Sequence, residues 1–215
     1  MDCCGNETRR NKFRNCIPTI NLLKCMSAKQ YLETLIHDLQ NLQQDVKEQF
    51  KDLNEKQFNW KPSEKQWSIA ECFTHLMLTS EAYQPQIKKK FADFGTLPKD
   101  EGKPNKTTIG GQLMMNMVNP HKKKISKIPA PKLFRPTQSQ YQLSLIEDFL
   151  AHLQKLAQFM KDCSMLNLNK IYIHSPALSL LQFNLAEYCQ LEVFHQIRHF
   201  QQAMRVMQQD LFPKA

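Results

Sequence analysis

The amino-acid sequence predicts an all-α protein, and three observations carry the prediction. Leucine, glutamine, methionine, glutamate and lysine are abundant between a few proline-rich breaks, a mixture that favours helices. Five glycines are few for a doubly wound α/β domain, and no Gly-x-Gly-x-x-Gly or Walker sequence occurs. Apolar residues recur at helical spacing in four long stretches set apart by capping and breaking signals. Four such stripes are buried most simply against one another. This predicts a four-helix bundle, with one long crossover between helices two and three.

The 215 residues suit one domain with a sizeable core. Residues 1–26 read as a polar, basic N-terminal arm, and residues 27–215 as the bundle domain. Cys3, Cys4 and Cys16 in the arm match no zinc-site spacing. The first helix is expected after Ser27, where Ser27-Ala28-Lys29-Gln30 has the capping-box pattern. Its stripe runs from Tyr31 and Leu32 to Phe50 and Leu53, and it should stop before Trp60-Lys61-Pro62-Ser63. His37 lies beside that stripe as a boundary residue.

The second helix has the clearest start. Ser68 can cap it, Glu71 can reach back to the cap backbone, and Trp67 is placed as a hydrophobic staple. His75 sits two turns inside, and the capping role accounts for Glu71. Glu81, further along, is left without a role. Pro98 to Thr108 reads as an exposed loop. Ile109 to Met115 follows as a short helix or turn, whose Met114, Met115 and Met117 fill space.

The crossover begins Pro120-His121-Lys122-Lys123-Lys124 and continues through Lys127, Pro129, Pro131, Lys132, Arg135 and Pro136. Its prolines argue for an extended, semi-rigid path. The lysines read as a solvated loop in which His121 would be a poor metal ligand. Thr137-Gln138-Ser139-Gln140 then has the pattern to open the third helix, with His152 at its periphery. Asp162 to Leu181 forms a structured connection. Asn184 caps the last helix, with Glu187 three residues on.

That last helix carries His195 and His199, four apart, so both imidazoles project from one face. A one-turn pair can hold one divalent metal, although most such pairs are surface or hydrogen-bonded histidines. His75 is the only other histidine deep in a strongly patterned long helix. If helices two and four face one another, His75, His195 and His199 surround one ion and leave a position for water or substrate. Gln202 is a candidate to support the ligands from behind, and Tyr188 and Glu192 to line the space below them. No catalytic serine or cysteine can be assigned, because no nucleophile elbow or local thiol motif exists.

The formal charge of +9 permits contact with nucleic acid or an anionic surface. The basic run is too short and too poor in aromatic residues for a single-strand binding face, so a nucleic-acid partner is not expected. No apolar run of about 18 residues exists that would span a membrane. Seven cysteines in no secreted-domain spacing, and a start without an apolar signal core, suggest reduced thiols and a cytoplasmic setting.

Three segments together resemble the DinB/YfiT-like superfamily of metal-binding four-helix proteins. They are Trp67-Ser68-Ile69-Ala70-Glu71-Cys72-Phe73-Thr74-His75-Leu76, the crossover ending Phe134-Arg135-Pro136, and Pro176 through His195-Gln196-Ile197-Arg198-His199-Phe200-Gln201-Gln202. The resemblance covers roughly Ser27 to the C-terminus. It implies metal-ligand roles for His75, His195 and His199, a long-crossover bundle that is frequently a homodimer, and zinc or nickel ahead of iron or manganese. It also implies hydrolase or thiol-dependent transferase chemistry on a small molecule, or a noncatalytic metal- or ligand-binding role in stress. The chain departs from the pattern at Ser179, often glycine, and at Gln196, where an acidic residue is common. Neither departure removes a ligand.

Overall fold

A computed structural model describes residues 26–121 and 129–214. Residues 1–25 of the N-terminal arm, with Cys3, Cys4 and Cys16, and the lysines from Lys122 to Lys127, lie outside the described residues. Among those described there are six α-helices: α1 (Ala28–Phe50), α2 (Glu55–Asn59), α3 (Ile69–Lys90), α4 (Ile109–Val118), α5 (Leu145–Asp162) and α6 (Leu185–Met207). A small antiparallel hairpin, β1 (Tyr172–His174) and β2 (Gln182–Asn184), precedes α6. Its register pairs Tyr172 with Asn184, Ile173 with Phe183 and His174 with Gln182. The structured connection expected over Asp162 to Leu181 is this hairpin and the turns around it.

Reciprocal capping boxes start α1 at Ser27, α3 at Ser68 and α6 at Asn184, as the sequence pattern predicts. Two boundaries differ. The stripe that runs to Leu53 is broken after Phe50, because Asn54 and Gln57 form a capping box of their own and begin α2. The third long helix starts at Leu145, not at Thr137. Asn59 accounts for this delay. Its side-chain amide accepts from the Tyr141 N–H and donates to the Tyr141 carbonyl, both at 2.8 Å, and so takes the groups a helix would need there.

The four long helices converge on one core. α1 packs against α5 and α6, and α3 against α6 and α5. Phenylalanines from all four meet: Phe73 of α3 stacks on Phe149 of α5 at 4.2 Å and meets Phe50 of α1 edge-on at 5.3 Å. Phe50 in turn meets Phe200 of α6 at 5.8 Å. Each such ring buried is worth roughly 1.5–3 kcal/mol, so this cluster sets how the helices sit. The short α4 packs on α6 and β2, with Met115 buried and Met114 and Met117 against the core. Its approach requires Gly110 and Gly111. A Cβ at Gly110 would fall 2.0 Å from the Gln182 carbonyl, and one at Gly111 2.0 Å from the Glu187 carboxylate.

Candidate metal centre

The histidines of α3 and α6 meet where these helices pack. Seven residues beyond its Ser68 cap, α3 presents His75 towards α6. The rings of His75 and His195 lie 5.0 Å apart, and each is 4.7 Å from the ring of His199. One nitrogen from each ring falls within 4.8 Å of the others, making a group that could hold a metal ion. Trp67, just before α3, covers it: its ring lies 4.6 Å from His75 and 5.7 Å from His199. The residue expected as a staple therefore also roofs the imidazoles.

The protonation of His75 follows from its neighbour. Nδ1 lies 2.7 Å from the Phe134 carbonyl, which can only accept, so Nδ1 carries the proton. The lone pair of a neutral ring is then on Nε2, which faces His195 Nε2 at 3.2 Å. Two nitrogens bound at about 2.05 Å to a tetrahedral ion would be about 3.3 Å apart, so this spacing already suits a shared cation. His199 supplies a further sign. Its Nδ1 is buried without a hydrogen-bond partner, a costly arrangement for a polar atom unless something else occupies the lone pair or takes the proton.

Burial keeps all three rings neutral. It lowers the His75 pKa to about 4, opposed by the hydrogen bond to Phe134. Burial likewise holds His195 and His199 well below the usual histidine range, with neighbouring imidazoles and Arg198 adding to the effect. Gln202 acts on His199 in the opposite direction, as a supporting residue would. Neutral imidazoles are the form that ligates. The donor set, the fixed tautomer of His75 and the orphaned nitrogen of His199 all fit a metal ion.

Phe134 is the contributor that helix periodicity did not reveal. It ends a single 3-10 turn, Lys132–Phe134, that packs on α3 after Pro131. The signal was the proline-bracketed Pro131 to Pro136 stretch, which marked a rigid path but not a carbonyl aimed at a histidine. A histidine that donates its second nitrogen to a backbone carbonyl is the usual outer support of a metal ligand. Glu71 does not join the centre. Its carboxylate accepts from the Ser68 N–H at 2.8 Å and pairs with Lys61 at 2.7 Å.

The other histidines lie apart. His37 is exposed, and the His121 ring meets Phe194 edge-on at 6.0 Å. His152 corrects the sequence reading: it is not peripheral but joins a second polar cluster with Ser80 and Gln196. Glu192, expected below the histidines, belongs to that cluster and accepts from Ser80 Oγ at 2.6 Å. The free thiols of Cys72, Cys163 and Cys189 are buried, and burial pushes Cys163 up to about 12. No cysteine belongs to the metal-binding group found among the described residues.

The family model of the DinB superfamily matches residues 38–203. The chain belongs to the DinB superfamily. That match spans His75, His195 and His199, and members of the superfamily are metal-binding. Searches of curated proteins and of solved structures each returned no match. Among the described residues no helix is long and apolar enough to cross a membrane.

Proposed function

We propose that this DinB-superfamily protein is a metal-dependent enzyme in which His75, His195 and His199 hold one divalent ion. The observation that carries the reading is the convergence of three neutral imidazoles, two buried and His195 half-buried, with His75 Nδ1 engaged by Phe134 and His199 Nδ1 without a partner. Zinc or nickel suits three imidazoles best, ahead of iron or manganese. The arrangement of α1, α3, α5 and α6, with α4 and the proline-rich stretch between α3 and α5, supports reading the fold as the long-crossover four-helix bundle.

When bound, the ion would supply Lewis-acid activation of water for hydrolysis, or of a low-molecular-weight thiol for transfer. The chain's own groups have separate duties. Phe134 holds the His75 ring in one tautomer, Trp67 excludes solvent above His75 and His199, and Gln202 steadies His199. A low-dielectric surround strengthens any charge developed there. Among the described residues the metal-binding group is the three histidines without a carboxylate, which accords with a position open to substrate.

Element analysis of untagged protein tests the centre. We expect close to one equivalent of metal in the wild type and its loss when His75, His195 and His199 are all changed to alanine. Full occupancy in that triple variant would remove the proposal. Turnover of small esters, amides or thiol acceptors by the metal-loaded protein separates an enzyme from a noncatalytic metal- or ligand-binding protein, since both would retain the ion. A cytoplasmic, homodimeric protein acting on a small molecule accords with this reading, and sedimentation would test the dimer.

A further inference from the structure

A cavity of about 630 Å³ lies between α3 and α5, with Tyr188 of α6 on its wall, and none of the three clustered histidines lines it. Its size is that of a small-ligand site. The polar groups at its inner side are Ser80 and His152. Ser80 Oγ donates its one hydrogen to Glu192 Oε2 at 2.6 Å, so towards the cavity it has lone pairs to offer. The His152 Nε2 lies 3.4 Å from both the Gln196 side-chain amide nitrogen and Ser80 Oγ, so its single site is already engaged within the protein and the Ser80 lone pairs are the acceptors left for a ligand. On the same Gln196 amide, Oε1 is buried without a partner. Behind Ser80, the Glu192 carboxyl is 2 % exposed and its hydrogen-bond partners are neutral groups: Ser80, Tyr188 and Gln196.

The interior thus offers the Ser80 lone pairs with a carboxyl group behind them, and among the described residues that carboxyl has no cation as a hydrogen-bond partner. The mouth repeats the bias, with the carboxylates of Glu81 and Asp148 set against the single ammonium of Lys155, on a chain whose overall charge is +9. Apart from Gln84, the remaining wall is apolar, with Met77, Ile87, Leu156 and Phe159 its larger side chains. Such a surround suits a ligand with several N–H donors, a positive charge and a hydrocarbon body.

We propose that the cavity between α3 and α5 binds a protonated primary amine with an apolar or aromatic body. The ammonium sits at the Ser80 hydroxyl, with Glu192 behind it, and the body lies against Leu156 and Phe159. The ring faces of Tyr188 and Phe159 add attraction for the cation. The site is independent of the metal centre and stands whether or not that centre is loaded.

Calorimetric titration of the full chain with phenethylamine, 2-phenylethanol and 3-phenylpropionate tests this assignment. Chelator is present throughout, so that an amine cannot register by ligating a metal. The amine should bind at least tenfold more tightly than the alcohol, and the acid should not bind. Glu192→Gln and Ser80→Ala should weaken the amine about tenfold or more. Both lie in the interior, so Asp148→Asn with Glu81→Gln, at exposed positions, provides a second reading and should weaken it several-fold. Absence of amine binding, equal binding of the acid or alcohol, or amine binding unchanged in the exposed double variant would overturn the proposal. His75→Ala should bind the amine as the wild type does; loss there would assign the amine to the metal centre and overturn the proposal equally.

Discussion

The two halves of α6 treat their buried ionisable groups in opposite ways. The N-terminal half carries Glu187 and Glu192, and both carboxyls are saturated by neutral donors. Glu187 accepts from the Thr108 N–H and hydroxyl, each at 2.7 Å, and from the Asn184 N–H at 3.0 Å. Glu192 accepts from Ser80 at 2.6 Å. The C-terminal half carries His195 and His199, whose surroundings leave one ring nitrogen orphaned. A satisfied buried group contributes to the fold, whereas an unsatisfied one is held at a cost and signals a ligand. The two carboxyls are held by the protein's own donors, whereas the imidazole pair leaves a nitrogen without a protein partner.

The largest test of that contrast is to delete one group from each half. Glu192→Ala strands Ser80 and opens a cavity, and should destabilise the protein by about 2–4 kcal/mol in chemical denaturation. His199→Ala, in metal-free protein, removes an orphaned polar atom along with its packing and should cost about half as much or less. Equal losses would erase the distinction.

Acidity sharpens it next, because His75, which α3 adds to the imidazole pair, and Glu192 of the carboxylate half titrate in opposite senses. His75 is lowered from 6.5 to about 4, so between these values the unfolded chain binds the extra proton. Metal-free stability should therefore be fully present above about pH 6.5 and fall as pH drops towards 4, by roughly 3 kcal/mol for a 2.5-unit shift. Burial raises Glu192 from 4.5 to about 7, so there the folded chain holds the extra proton. Its contribution is present below about pH 4.5 and is lost as pH rises to 7. Urea titrations at several pH values should show the wild-type slope become more positive in Glu192→Gln and flatter in His75→Gln. Slopes that move the other way would refute the assignment.

A smaller effect is expected at Gly111, where α4 meets the carboxylate half. An added Cβ would fall 2.0 Å from a carboxylate pinned by its hydrogen bonds, so it cannot swing aside freely. Gly111→Ala should cost about 1–3 kcal/mol, read by thermal unfolding, while leaving metal content unchanged. The smallest signal is optical. Trp67 lies on His75 and His199, whereas Trp60 packs against Phe212, so nickel should quench the fluorescence of Trp67. The quench should persist in Trp60→Phe and vanish in Trp67→Phe; the reverse pattern would place the ion elsewhere.

Much of this organisation is legible in the sequence because it is local. Ser27, Ser68 and Asn184 announce their helices through partners three residues away, and His195 and His199 share a face because four residues make about one turn. The failures are equally physical. Thr137 carries a capping pattern as plausible as the others, but Asn59 takes the backbone of Tyr141 from 82 residues away. The same distance effect hid His152, whose neighbours Ser80 and Gln196 lie on other helices.

The sequence by itself determined the helical class, three of the caps and the three imidazoles that belong together, since each rests on spacing along one chain or on a recognisable motif. Tertiary structure alone decided that Phe134 fixes the His75 tautomer, that Trp67 covers the rings, and that Ser80, His152 and Glu192 form a separate polar cluster. Those relations join elements far apart in sequence, and only the packing of α3, α5 and α6 brings them within hydrogen-bond reach.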